Sequence, residues 1–106
     1  MPREMINYKK AKDCAVLLQA LAEPTRLRII DLLLTGKKNV TDLARDLNIE
    51  MANVSVHLRV LRQAGLVLNE KHGRQVEYSL HPDYFPDAEA ASADFGWCRI
   101  EIYAEE

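Results

Sequence analysis

The sequence lacks most of what catalysis, secretion or membrane insertion would require. Its apolar runs extend for only a few residues, as at Leu32-Leu33-Leu34, far short of the ~20 that cross a bilayer. The first twelve residues are charged and contain no apolar leader stretch, so a cytoplasmic location is expected. Cysteine is scarce: Cys14 and Cys98 stand alone and far apart. In a reducing compartment they are not expected to form a permanent disulfide. No Cys-x-x-Cys or similarly tight ligand spacing occurs, so no metal site is assigned. The four glycines form no phosphate-cradling loop, and no nucleophile–base or paired-carboxylate arrangement is visible. No enzyme activity and no cofactor are expected.

The whole chain also lacks an excess of positive charge: its net charge is −2. Its distribution reverses that impression. Met1 to His81 carries 13 basic and 9 acidic residues, whereas Pro82 to Glu106 carries one basic residue against seven acidic ones. A basic body is thus hidden by an acidic tail. Affinity for nucleic acid follows where cations sit, not their total.

The 106 residues suit a single domain, residues 1–106, with one modest core. Tyr8 to Ala22 predicts a helix with Ala11, Cys14, Ala15, Leu18, Leu21 and Ala22 on one stripe. Pro24 ends it and suits the first position of a second helix that runs to about Thr35, with Leu27, Ile30 and Leu34 inward and Gly36 as its stop. Asn39 is a good N-cap for a short third helix ending at Leu47. Asp42 completes a capping-box-like pattern, and Val40, Leu43, Ala44 and Leu47 turn inward. After Asn48-Ile49-Glu50, a fourth helix runs from about Met51 to Ala64 with Val54, Leu58 and Leu61 inward. Two short helices joined by so tight a turn form a helix-turn-helix pattern, at about residues 39–65.

Leu66 to His72 and Arg74 to Leu80 read as strands, with Leu66, Leu68, Val76, Tyr78 and Leu80 alternating with polar residues. Gly73 permits the tight turn between them. A hairpin at about 66–80 directly behind a helix-turn-helix is a wing. The fold class is therefore mainly α with a small β-hairpin: a winged helix-turn-helix. In residues 82–106, Pro82 and Pro86 discourage a long helix. Phe95 to Tyr103 alternates and is rich in β-formers, so a final strand after a loose acidic linker is expected, with a C-terminal helix as the alternative.

Three segments carry a family resemblance. Leu21-Ala22-Glu23-Pro24-Thr25-Arg26-Leu27-Arg28-Ile29-Ile30, the stretch from Val54 to Val67 and the stretch from Gly73 to Leu80 together resemble the ArsR-type (arsenic-repressor-like) regulators, over roughly Leu17 to Leu80 and without gaps. The resemblance implies a homodimeric repressor of a double-stranded DNA operator, paired through its first helix and C-terminal segment and released by a metal ion or an oxidant. Two departures weaken a metal-sensing role. The third helix reads Asn39-Val40-Thr41-Asp42-Leu43, without the Cys-x-Cys of many members, and no histidine follows His81.

With Val54, Leu58 and Leu61 inward, steps of 100° put Ala52, Ser55, Val56, Arg59 and Gln63 on the outer side of the fourth helix, with Asn53 beside them. Arg59 suits guanine, Asn53 adenine, Val56 a thymine methyl, and Ser55 a base or phosphate. Lys71, His72, Arg74 and Gln75 surround the wing tip and suit phosphate or minor-groove contact. The same charges also protect an edge hairpin from aggregation. Thr41 and Arg62 are further phosphate partners. His57 borders the inward stripe and reads as a packed, hydrogen-bonded side chain. Cys14 and Cys98 are the candidates for signal input by a thiol-reactive metal, metalloid or oxidant, and each also reads as a small core residue. The competing function is a winged-helix protein-interaction module without specific DNA binding.

Overall fold

A computed structural model of the chain describes residues 3–103. The helices are α1 (Tyr8–Leu21), α2 (Pro24–Leu33), α3 (Val40–Leu47) and α4 (Met51–Gln63). A two-residue strand β1 (Lys38–Asn39) precedes α3, and β2 (Val67–His72) and β3 (Gln75–Leu80) follow α4. A 3-10 turn at Ala88–Ala90 leads into β4 (Ser92–Asp94) and β5 (Arg99–Glu101). The order from α1 to β3 is that of a winged helix-turn-helix.

Local chemistry sets the helix boundaries. Asn7 accepts from the Lys10 amide at 2.9 Å and starts α1. Pro24 occupies the first turn of α2 while the Glu23 carboxylate accepts from the Arg26 amide at 2.9 Å. Asn39 caps α3 through the Asp42 amide at 2.8 Å. The Asp42 carboxylate does not complete a capping box; it pairs with Arg45 at 3.2 Å. Asn48, in the left-handed region with φ 56°, turns the chain out of α3. Gly65, with φ +85°, does the same after α4, and the Leu66 amide closes the turn onto the Leu61 carbonyl at 3.0 Å. Any side chain at Gly65 would be strained by that φ.

The core gathers one face of every helix. Val54, Leu58 and Leu61 of α4, Leu43 of α3, Ile29 of α2 and Leu66 have no exposed surface. Each such side chain contributes about 1.5–3 kcal/mol by leaving water. The wing is a three-stranded antiparallel sheet in the order β1-β3-β2. β1 pairs Lys38 with Tyr78 and Asn39 with Glu77, so the entry to α3 is stitched to the wing.

Several expectations are corrected. The buried stripe of α1 is Cys14, Leu17, Ala20 and Leu21; Ala15, Leu18 and Ala22 are exposed and Ala11 is half-buried. In α2 the buried residues are Ile29, Ile30 and Leu33, while Leu27 is 52% exposed and Leu34 only partly buried. In the wing Val67 is buried and Leu68 exposed. These shifts share a cause: the segments are apolar on more than one face, and the partner element decides which face is covered. The C-terminal region differs most. Instead of one strand from Phe95 to Tyr103, Phe95 to Cys98 form the bend of a β4–β5 hairpin, with Ala93 opposite Ile100. The acidic segment before it is not loose. Phe85, Ala93 and Phe95 are buried in the common core, and Tyr84 stands edge-on to Phe95 with ring centres 5.7 Å apart.

Candidate nucleic-acid interface

α4 presents a mostly polar outer surface because Val54, Leu58 and Leu61 turn its main apolar face into the core. Asn53, Ser55, Val56, Arg59, Arg62 and Gln63 are all exposed. Val56, an apolar residue left 56% in water, is the kind of side chain that meets a methyl group in a groove. Glu50 precedes the helix but makes no side-chain capping bond. The first-turn amides of α4 are thus not capped by that side chain and retain their pull on an anion.

The wing turn closes on the start of the helix-turn-helix. Thr41 at the start of α3, Met51 at the start of α4, and Arg74 with Gln75 at the wing turn line a single concavity of about 220 Å³. Asn39 organises it. Its extended backbone pairs in the sheet, its Oδ1 caps α3, and its Nδ2 donates to Gln75 Oε1 at 3.2 Å. From the sequence only the cap is legible. The other two roles depend on β1, which two residues cannot announce.

The remaining predicted residues are more scattered. Cross-strand pairing puts Lys71 opposite Val76 and His72 opposite Gln75, so alternation sends Lys71 and Gln75 to opposite faces of the wing. His72 is engaged by carboxylates, with Nε2 3.6 Å from Glu70 and 3.3 Å from Glu77. Glu70 and Glu77 face each other across the strands, so the wing carries more negative charge than its basic tip suggested. Arg62 stands in the last turn of α4. Gln63 lies at that far end too, on the rim of a groove between α1 and α4 that Arg26 also lines.

Behind α4 lies a polar cluster. The Arg26 guanidinium donates from Nε to the Ala20 carbonyl at 2.6 Å and places Nη1 3.3 Å from His57 Nδ1. Since guanidinium can only donate, Nδ1 accepts in this contact. Glu23 Oε2 lies 3.6 Å from the same nitrogen. The backbone amide of Arg26, more than the nearby positive charges, holds the Glu23 carboxyl below its ordinary value. His57 is therefore packed and hydrogen-bonded, as its position beside the inward stripe implied. In the sequence, Glu23 and Arg26 stand out only as part of the Leu21–Ile30 segment.

The two thiols meet within one chain. Cys14 is buried and donates to the Phe95 carbonyl at 3.6 Å. Cys98 is half-buried, and burial together with the adjacent Cys14 thiol raises its pKa above the usual thiol value. Among the described residues no cluster of three or more His, Cys, Asp or Glu is placed to hold a metal ion, and no helix is long and apolar enough to cross a membrane.

Residues 23–68 match the model of the family described as bacterial regulatory protein, arsR family. Over 80 residues the chain is 44% identical to the HTH-type transcriptional regulator NmtR of Mycobacterium tuberculosis, covering 76% of this chain and 67% of that protein. It is 34% identical over 70 residues to the transcriptional repressor SdpR of Bacillus subtilis, covering 66% and 78%. Among solved structures it is similar to the homodimeric winged helix-turn-helix DNA-binding domain Mb0332 of Mycobacterium bovis. There the TM-score is 0.67 at 27% identity, over 77% of this chain and 78% of that one.

Proposed function

Because the chain belongs to the arsR family of bacterial regulatory proteins, we propose that it is a homodimeric repressor that seats α4 in the major groove of an operator in the cytoplasm. It is a DNA-binding transcriptional regulator and not an enzyme. The observation that carries the operator reading is the concavity where Thr41, the start of α4 and the Arg74–Gln75 turn converge beside the exposed Asn53–Ser55–Val56–Arg59 surface. In this reading Asn53, Val56 and Arg59 read bases. Ser55, Thr41, Arg62, Arg74 and Gln75 hold phosphates, and Lys71 and Gln63 contribute from the margins. The dimer is supported by apolar surface that the core leaves open, at Val16 and Leu18 of α1 and Leu27 of α2. Two copies then address half-sites about 10 base pairs, or a multiple of one turn, apart.

Signal input is assigned to Cys14 and Cys98. A hydroperoxide would transfer one oxygen to the Cys98 thiolate, leaving as the alcohol or water and giving a sulfenic acid. The Cys14 thiol would then displace that oxygen as water, forming a disulfide between α1 and the C-terminal hairpin. A soft metal or metalloid ion would instead replace the two thiol protons.

The experiment is genomic footprinting followed by titration of the recovered duplex at several salt concentrations. Specific binding that weakens steeply with salt is expected. A chain that shifts no duplex, yet captures a protein through α4, would establish the interaction-module alternative.

A further inference from the structure

β5 is the outer strand of a two-stranded sheet, and among the described residues nothing pairs with its free edge. The hydrogen bonds of the hairpin show which groups that edge carries. The Phe95 amide donates to the Cys98 carbonyl at 2.9 Å, and the Ile102 amide to the Ala91 carbonyl at 2.7 Å. Main-chain groups of Cys98, Ile100 and Ile102 therefore turn towards β4. By alternation those of Arg99 and Glu101 turn outward, available to another strand.

We infer that this edge pairs with the same edge of a second copy, antiparallel and centred on Ile100, joining the two hairpins into one four-stranded sheet. The inference rests on the dimeric reading above and names a surface that builds the dimer. Charges on an edge strand ordinarily deter pairing. Here the order Arg99-Ile100-Glu101 is complementary to its own reversal. Arg99 of one copy faces Glu101 of the other, twice per dimer, and the four outward main-chain groups of each strand meet their complements. The aromatic residues follow the same symmetry: Trp97, 47% exposed, comes to the level of the partner's Tyr103, and Tyr103 is 81% exposed. Beneath the strand, Ile100 and Ile102 line an apolar hollow of about 320 Å³ with Leu21, Leu27 and Phe85. Bringing the partner's Ile100 to the two-fold axis places apolar surface beside that hollow.

The test uses the variants Arg99→Glu and Glu101→Arg of the full chain, singly and mixed, in sedimentation equilibrium. Either variant alone sets like charges opposite each other at both symmetric positions. Each is expected to raise the dimer dissociation constant by about tenfold or more. In an equimolar mixture every carboxylate of one variant faces a guanidinium of the other, and heterodimers should form with nearly the original affinity. The 3.7 Å pair between Arg99 and Glu101 within one chain stays broken in both variants, so it cannot account for such a rescue. Single variants that dimerise as tightly as the unaltered chain, or a mixture no tighter than its components, would overturn the pairing while leaving the dimer. An unaltered chain that is monomeric at micromolar concentration would overturn both. As a second readout, Ile100→Cys in a Cys14→Ser, Cys98→Ser background should cross-link two copies on oxidation, because the central residue faces itself in a non-hydrogen-bonded pair, where Cα atoms stand about 4.5 Å apart, within disulfide reach. Absence of the cross-link in a dimer would equally count against the pairing.

Discussion

Arg26 Nη1 lies 3.3 Å from Nδ1 of His57, which joins the start of α2 to the middle of α4. The same guanidinium donates to the Ala20 carbonyl at 2.6 Å near the end of α1. Three helices are therefore tied by one side chain. Arg26→Met keeps an aliphatic stem but removes every donor. The expected loss is about 1–3 kcal/mol of stability, since hydrogen bonds from charged groups are worth about 1.5–3 kcal/mol. Urea unfolding should show it, and operator affinity should fall in protein that remains folded because α4 loses its rear support. Unchanged stability and binding would mean that the guanidinium is merely solvated there.

Glu23 supplies a pH-dependent part of the same cluster. Its folded pKa is depressed below the ordinary 4.5, chiefly by the Arg26 backbone amide. A depressed carboxylate stabilises the fold fully above its unfolded pKa and loses that contribution as pH falls through the folded value. Glu23→Gln should therefore be less stable than the unaltered chain by a constant margin above about pH 5.5, and the margin should shrink as the pH drops below 4.5. Chemical denaturation from pH 3 to 7 measures it. A margin that stays constant across that range would remove the carboxylate's charge from the account.

The sequence was most legible where periodicity and capping agree. Val54, Leu58 and Leu61 recur at one helical face of α4, and all three are fully buried. Asn39 announces α3 because a side-chain acceptor before an apolar run has few other uses. α1 was harder: Cys14 to Leu18 offers apolar residues in every direction, and Phe95, 81 residues away, helps choose the covered face through its carbonyl, which accepts from the Cys14 thiol. Val67 and Leu68 are interchangeable by composition, so only the pairing register separates them. The C-terminal hairpin hid because its strands have three residues each, too few for a period. At the candidate interface, residue types identified α4 correctly as an exposed polar surface. What they could not give was the direction of the wing side chains, which depends on the register that the Gly73–Arg74 turn sets between β2 and β3.

Arg59 and Arg74 should separate base reading from phosphate holding. Arg59 projects from the middle of α4, whereas Arg74 sits at the wing turn beside Thr41. Arg59→Ala is expected to cost about 1–3 kcal/mol on the operator and to relax the preference at one base pair. Arg74→Ala should weaken all duplexes alike and reduce the salt slope by about one. Fluorescence anisotropy on matched and mutated operators at several salt concentrations distinguishes the two. Identical losses with unchanged sequence preference would contradict the division of roles.

The thiols offer the most demanding prediction, because the environment that brings Cys14 and Cys98 together also makes Cys98 slow to react. Burial and the neighbouring thiol raise its pKa above the usual thiol value, so little of it is thiolate at neutral pH. Disulfide formation with a hydroperoxide should accelerate as the pH rises through 9 and beyond, and mass spectrometry should find the loss of two hydrogens within one chain, not a cross-linked dimer. A ligand or bond shifts a two-state equilibrium only by favouring one state. A bond between α1 and the hairpin does so if the hairpin moves against α1 when the operator is released. The double variant Cys14→Ser, Cys98→Ser should fold and bind the operator yet lose its response to oxidant and to thiol-reactive metal. A response retained in full by that variant would return both residues to core packing, where the Cys14 bond to the Phe95 carbonyl already gives them a use.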